Sequence, residues 1–176
     1  MSGYLYRSAV LYHDDETETF WSQMTGEGVV GPLAGKRLSW MPSEVMTWKE
    51  WRKKHPETTV LQPARPFADY VRTNRDYDLY RRGDRIVFPT GPNPIAKTYR
   101  NKESVTVVRR DGKPRCYPLP LLREGENADG AWRVVRTGAS VRVLDADGKQ
   151  VPSMTAYWFA WCVFYPDGTV FEPAPK

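Results

Sequence analysis

The sequence predicts an α+β fold made mostly of short antiparallel β-strands, with a few short helices, in one compact body. Three observations favour this class. Short β-branched and aromatic runs alternate with Gly, Pro and Asp turns, helical periodicity is confined to brief stretches around paired tryptophans, and 176 residues suffice for one ordinary domain or two small ones. An apolar fraction of 40% and a charged fraction of 27% are typical of a folded, soluble chain.

The first predicted element is a β-hairpin. Its two extended segments, 9–13 and 19–24, flank the acidic turn 14–17. Four glycines and a proline then fall between positions 26 and 35, which excludes a helix and indicates tight turns where the backbone passes close to another segment. Residues 37–41 and 58–61 are interpreted as two further short strands.

The clearest helix signal begins at Thr47. This residue and Glu50 have the spacing of a capping box, in which each side chain accepts the other residue's backbone amide. Trp48 and Trp51 then fall on one helical face. Pro56 ends the helix, because the residue before a proline is disfavoured in helical geometry.

The rest of the chain divides into a connector and a second strand-rich part. Residues 62–104 are rich in Pro, Tyr and Arg, with one helical turn expected near 77–82. After them we expect a hairpin closed by an Asp-Gly turn, a helical turn and two strands, over residues 105–117, 119–123, 132–136 and 141–144.

An internal repeat relates the two ends of the chain at a constant offset of 110 residues. The shared pattern is Trp-x-x-Trp-x-x-x-aromatic-Pro-acid-x-Thr-Val-apolar, over 48–61 and 158–171. We interpret it as a duplication and divide the chain into a first unit (1–61), a connector (62–104) and a second unit (105–172). Residues 157–164 are apolar on every side, so we expect this helix in the core and all four tryptophans buried together.

Several protein classes are disfavoured by composition. No apolar run reaches the roughly 18 residues that a membrane span needs, and no basic stretch followed by an apolar one opens the chain, so neither a span nor a signal peptide is predicted. Without a signal peptide, this sequence predicts a cytoplasmic location. Two cysteines and two histidines predict no disulfide framework and no metal site. Gly35-Lys36 is followed by Arg37, so the turn is not a P-loop, and the sequence leaves the cofactor unknown.

Positive charge is concentrated in the middle of the chain. Residues 34–115 hold nineteen Lys or Arg against nine Asp or Glu, within a net charge of +5. Such a field attracts anions, although the favoured explanation is that one half of the molecule pairs with the other or that the charges simply keep the protein soluble. The densest segment, 97–115, is flanked by tyrosines and suggests nucleic-acid binding as an alternative, but no known nucleic-acid-binding motif accompanies it.

The best candidate site is the glycine-rich turn after the first hairpin. Polar side chains stand beside glycines there, and backbone amides in such turns can hold an anion. The same pattern also fits a turn whose polar groups hydrogen-bond only locally. The candidate ligand-binding residues are Ser22, Gln23, Thr25, Gly26, Glu27, Gly31, Gly35 and Lys36.

Three catalytic alternatives remain open at this point. An enzyme, or the remnant of one, would use Glu27 with Ser22, Thr25 or His13 in one pocket. His13 also stands beside two aspartates, as a base or metal ligand would. Cys116 follows Arg115, whose charge would favour a reactive thiolate, whereas Cys162 is expected to be an inert core residue.

The run Trp21–Leu38, together with Thr47-Trp48, residues 55–61 and the closing Trp158-Phe159-Ala160-Trp161, resembles a bacterial and archaeal family known as domain of unknown function 3179. The resemblance implies no established reaction. It implies an N-terminal Cys-Pro-Leu-Cys stretch, absent here, so by this comparison the chain begins partway through a unit; similar proteins are commonly exported. We therefore expect a non-catalytic binding or structural module whose glycine-rich turn accepts an anionic small molecule or glycan.

Overall fold

The computed structural model describes residues 3–62 and 77–174 and has the α+β fold that the sequence predicts. The first of its sheets has the order β1-β2-β3-β4, and every neighbouring pair in it is antiparallel. The predicted hairpin is confirmed as β2 and β3, whereas β1 and β4 were not predicted. The strands of this first sheet are β1 (Leu5–Tyr6), β2 (Ala9–His13), β3 (Phe20–Ser22) and β4 (Gly28–Val30).

The second sheet forms the centre of the molecule, in the order β10-β5-β6-β11. Its middle hairpin turns at Asp111 and Gly112, which both have positive φ, as a two-residue hairpin turn requires. This confirms the predicted Asp-Gly hairpin. The strands are β5 (Ser104–Arg110), β6 (Lys113–Pro118), β10 (Ser153–Tyr157) and β11 (Thr169–Val170), the last parallel to β6.

The third sheet is a three-stranded meander of β7 (Gly125–Asp129), β8 (Trp132–Thr137) and β9 (Ser140–Leu144). Strands β8 and β9 confirm two predictions. Strand β7 has the sequence Gly-Glu-Asn-Ala-Asp, which lacks β-branched and aromatic residues and therefore gave no strand signal. The helical turn expected near 119–123 is the 3-10 turn Leu119–Leu121.

Three short helices complete the described residues: α1 (Trp48–Lys54), α2 (77–82) and α3 (Trp158–Phe164). The capping box of α1 is confirmed, since the Glu50 amide donates to Thr47 Oγ1 and the Thr47 amide donates to Glu50 Oε2 at 2.8 Å. Helix α2 confirms the helical turn expected in the connector. The part of the connector at 63–76 lies outside the described residues.

Two predicted strands are wrong. Residues 37–41 contribute a single bridge, between Arg37 and Glu27, and residues 58–61 pair with no strand among the described residues. Extended backbone becomes a strand only when a neighbour takes up its amides and carbonyls, which the β-branched composition of 58–61 does not guarantee.

The core gathers around α3. Trp158 and Trp161 are 4% and 3% exposed, and α3 packs on β5 and β10. Met24, from the turn after β3, belongs to the same cluster, so the first and second units share one core. A second cluster joins the second and third sheets through Val108, Tyr117, Leu122, Val134, Val143 and Phe171.

The expected burial of all four tryptophans is half wrong. Trp48 and Trp51 of α1 are 49% and 37% exposed, and no residue of this helix is buried. The reason is tertiary: α3 lies against two strands of the second sheet, whereas every residue of α1 is exposed.

Candidate functional site

A cavity of about 540 Å³ lies where the first sheet, helix α2 and helix α3 meet. Its walls are mostly apolar. The first sheet and the turn after β3 contribute Leu5, Ala9, Val10 and Met24, the strand β10 and helix α3 contribute Ala156, Tyr157, Phe159 and Ala160, and the connector contributes Tyr77, Tyr80, Val87 and Phe88. A concave apolar chamber of this size is typical of small-molecule sites.

A few polar groups interrupt this apolar lining, and Ser8 is the most informative of them. Its Oγ is buried and finds no hydrogen-bond partner among the described residues, although Ser8 lines the cavity. Ser8 and its neighbour Arg7 also have left-handed backbone, with φ of 65° and 50°. These two residues form the two-residue turn between β1 and β2, which requires positive φ at both positions. A buried unpaired hydroxyl costs roughly 1–3 kcal/mol, so the Ser8 hydroxyl is the feature of this wall that the turn geometry does not explain.

Tyrosines form the wall opposite the first sheet. Burial, followed by the neighbouring Tyr77, raises the pKa of Tyr80, and burial likewise raises the pKa of Tyr157. Lys102 packs against Tyr80. The Nζ of Lys102 lies 3.3 Å from the centroid of the Tyr80 ring and donates a hydrogen bond to the Tyr80 carbonyl. Lys102 is only 6% exposed, and burial lowers its pKa. The hydroxyls of Tyr80 and Tyr157 therefore stay protonated at neutral pH and can donate a hydrogen bond to a ligand.

Of the binding residues predicted in the glycine-rich turn, one lines this cavity. Gln23 lines the chamber next to Met24. Within the turn itself, Ser22 is buried and its Oγ accepts the Thr25 amide, while Thr25 Oγ1 accepts the Glu27 amide. These hydroxyls are therefore engaged in holding the turn together.

The backbone amides of the turn are also engaged. The Gly26 amide donates to Ser22 O at 2.8 Å, the Gly35 amide to Gly28 O at 2.8 Å, and the Lys36 amide to Leu33 O at 3.0 Å. An anion at this turn would therefore have to contact side chains, because these amides already have acceptors.

Close backbone approach, as predicted, explains two of the glycines. A Cβ on Gly31, which has φ of +112°, would lie 2.8 Å from Thr19 Cα, and one on Gly28 would lie 2.4 Å from Leu33 O. The remaining predicted residue, Glu27, accepts a hydrogen bond from Arg37 Nη2 at 2.9 Å on the surface. These positions shape the turn that presents Gln23.

The side chains of the catalytic alternative do not line the cavity described above. Ser22, Thr25 and Glu27 are neighbours in the turn, whereas His13 Nδ1 lies 2.9 Å from Asp15 Oδ1 and Glu27 accepts a hydrogen bond from Arg37. No group of three His, Cys, Asp or Glu residues in the described part of the chain is arranged to hold a metal ion.

The thiols are buried. The expectation that Arg115 favours a Cys116 thiolate is wrong, because burial raises the pKa of Cys116 and outweighs the influence of Arg115. The guanidinium of Arg115 is directed instead to Asp129. Cys162 is buried in α3, as expected.

Several cations of the basic segment 97–115 pair with other groups of the same protein. Arg115 donates to both carboxylate oxygens of Asp129, at 2.6 and 2.7 Å, and Arg110 and the Tyr117 hydroxyl donate to the same carboxylate. Burial opposes ionisation of Asp129, but the hydrogen bonds from Arg115 and Tyr117 outweigh it and lower the pKa. Arg109 stacks over Trp40, 5.4 Å from the ring centroid. These cations therefore join the sheets of the protein.

Comparison with models of protein families assigns the chain to one family. The family model described as "Protein of unknown function (DUF3179)" matches residues 1–132, and the chain belongs to that family. No curated protein and no solved structure matches the chain. None of the helices in the described part of the chain is long and apolar enough to cross a bilayer.

Proposed function

We propose that this protein is a non-catalytic binding module and that the cavity between the first sheet, α2 and α3 receives its ligand. The observation that carries the proposal is the Ser8 hydroxyl, which is buried at the cavity wall without a partner among the described residues. A rotation of the Ser8 side chain about χ1 would bring this buried hydroxyl to the cavity, where a hydrogen bond to a ligand would remove the cost of leaving it unpaired.

The lining favours a small amphiphilic ligand. The apolar body would lie against Met24 and Phe159, and the tyrosines Tyr80 and Tyr157 offer ring faces and hydroxyls. A polar end would reach Ser8 and Gln23. A volume of about 540 Å³ suits a molecule of drug-like size.

The glycine-rich turn enters this proposal as the support of Gln23. The anionic ligand predicted for the turn fits best as an amphiphile whose charged end lies near Gln23, since the amides of Gly26, Gly35 and Lys36 donate within the turn. A free inorganic anion or an acidic glycan would depend instead on exposed cations such as Lys36 and Arg37.

The test uses 8-anilinonaphthalene-1-sulfonate, an aromatic anion, as the probe. We expect its fluorescence to rise on binding to the folded protein, and Ser8→Ala to weaken binding at least fivefold while raising Tm, because the unpaired hydroxyl is lost. The matched control is Ser39→Ala, an exposed serine outside the cavity, which should change neither quantity.

Two outcomes would overturn this proposal. One is Ser8→Ala leaving the affinity unchanged, and the other is competition by millimolar sodium sulfate at constant ionic strength, which would move the site to the surface cations. Near-UV circular dichroism on each variant confirms that a change in affinity is not a loss of packing.

A further inference from the structure

An apolar surface separate from the cavity lies on the first unit. We call it the α1 face and define it by Val45, Trp48, Trp51, Val60 and Leu61, whose exposed fractions run from 37% for Trp51 to 93% for Leu61. None of these residues lines the cavity. Five large apolar side chains exposed within seventeen positions are more than the isolated surface hydrophobics of an ordinary chain.

The second unit shows what covers the equivalent surface. At the offset of 110 residues, Trp48, Trp51 and Leu61 correspond to Trp158, Trp161 and Phe171, which are 4%, 3% and 2% exposed. The hairpin β5–β6 supplies part of the cover, together with residues of the connector such as Tyr99, which stacks edge-on against Trp158. Strand β5 pairs antiparallel with β10, just before α3, and β6 pairs parallel with β11, just after it.

The backbone of the first unit has the same shape at the helix. The residue that ends α1, His55, has φ −132° and ψ 73°, and Tyr165 at the end of α3 has φ −133° and ψ 60°. Each donates its amide to the second tryptophan's carbonyl, at 2.7 and 2.9 Å. The two helices therefore end alike, and the difference in burial lies in what packs on them, since no strand pair of the described residues adjoins α1 as β5 and β6 adjoin α3.

The segments on either side of α1 have main-chain groups to offer. Residues 44–46 and 59–61, which correspond to β10 and β11, form no main-chain hydrogen bond with any described residue. Exposed extended segments with free amides and carbonyls are templates for an added strand.

We infer that the α1 face is a docking site for a β-hairpin carried by another polypeptide. One strand of the hairpin lies antiparallel to residues 44–46 and the other parallel to 59–60, as β5 and β6 lie in the second unit. Its inner face carries β-branched or small apolar side chains, like Val105, Val107 and Cys116, which are buried under α3. Main-chain pairing would give affinity, and Trp48 and Trp51 would supply the buried anchors.

The probe for this inference is a labelled synthetic peptide with the sequence of residues 104–118, cyclised through its ends to hold the hairpin. We expect its fluorescence anisotropy to rise on titration with the full chain. Val60→Lys, at a position 68% exposed, should weaken binding at least tenfold, because it places a charge beneath the added strand. The matched control Val30→Lys, at a position 58% exposed in β4, should leave binding unchanged.

Each remaining outcome counts against the inference. Absence of binding at millimolar concentration, equal binding to both variants, or equal binding of a peptide with scrambled order would overturn it. So would light scattering that shows a dimer sensitive to Val60→Lys in the absence of peptide, since a second copy would then occupy the α1 face.

Discussion

Helices α1 and α3 have seven residues each, begin with a Trp-x-x-Trp pattern and end in the same backbone conformation, but α1 lies at the surface and α3 in the core. Their N-termini differ accordingly. In α1, Thr47 and Glu50 satisfy each other's amides. In α3 the residue before the helix makes no side-chain cap, and the amides of Trp158 and Phe159 donate to the carbonyls of Glu103 and Asn101. The exposed helix α1 is therefore capped by its own residues, whereas the first amides of the buried helix α3 donate to carbonyls of a neighbouring segment.

The second tryptophan of each helix contacts the residue seven positions later, and this residue differs between the two copies of the repeat. Trp51 Nε1 donates to Thr58 Oγ1 at 2.8 Å. The equivalent residue in the second unit is Gly168, where a Cβ would lie 2.3 Å from Cη2 of Trp161. Glycine lets the indole of Trp161 lie directly over the backbone, while threonine gives the indole of Trp51 a polar partner at the surface.

The largest expected difference between the helices comes from removing these tryptophans. Trp161→Ala should lower the free energy of unfolding by about 3–5 kcal/mol, because it empties a filled core position. Trp51→Ala should lower it by less than about 1 kcal/mol, since the side chain is already partly hydrated. Urea denaturation followed by far-UV circular dichroism measures both, and losses of equal size would mean that α1 is as well packed as α3.

A smaller effect is expected at the position that faces each indole. Gly168→Ala should cost about 1–3 kcal/mol, because the new methyl group overlaps the Trp161 ring and forces it to move. Thr58→Ala should cost about 0.5 kcal/mol, the loss of one exposed hydrogen bond. The same denaturation experiment applies, and a neutral Gly168→Ala would show that Trp161 has room to shift.

The smallest effect is a pH dependence confined to α1. Hydrogen bonds from the Thr47 side chain and backbone lower the pKa of Glu50 below its ordinary value of 4.5. The carboxylate cap therefore stabilises α1 above that value, and its contribution is lost as the pH falls through the lowered pKa. Amide resonances followed by NMR should show Thr47 titrating below pH 4.5 and Trp158 unaffected. Glu50→Gln should abolish the Thr47 transition, and its persistence would assign the titration to another group.

The features that could be predicted from sequence are those that depend on near neighbours. The Asp111-Gly112 turn and the capping box of Thr47 each require only a few adjacent residues, and both are confirmed. The apolar character of α3 on all sides likewise predicted its burial, because such a helix has no face suited to water.

The features that could not be predicted depend on partners distant in the chain. The same Trp-x-x-Trp pattern predicted burial for Trp48, which needs a covering sheet that the described residues do not provide. The cavity combines Ser8, Tyr80 and Tyr157 from three parts of the chain, and only Gln23 of the predicted site reaches it. The left-handed backbone at Ser8 left no mark in the sequence, since serine is not a residue that signals positive φ.

The first amides of α3 donate to carbonyls that are distant in the sequence, and this dependence sets an order of events during folding. Because the leading amides of α3 need the carbonyls of Asn101 and Glu103, this helix gains stability only after the chain around β5 has closed a long loop. Helix α1 finds its capping contacts locally, but with seven residues and no buried side chain it gains little stability by itself. Closure of the core therefore depends on α3 joining β5.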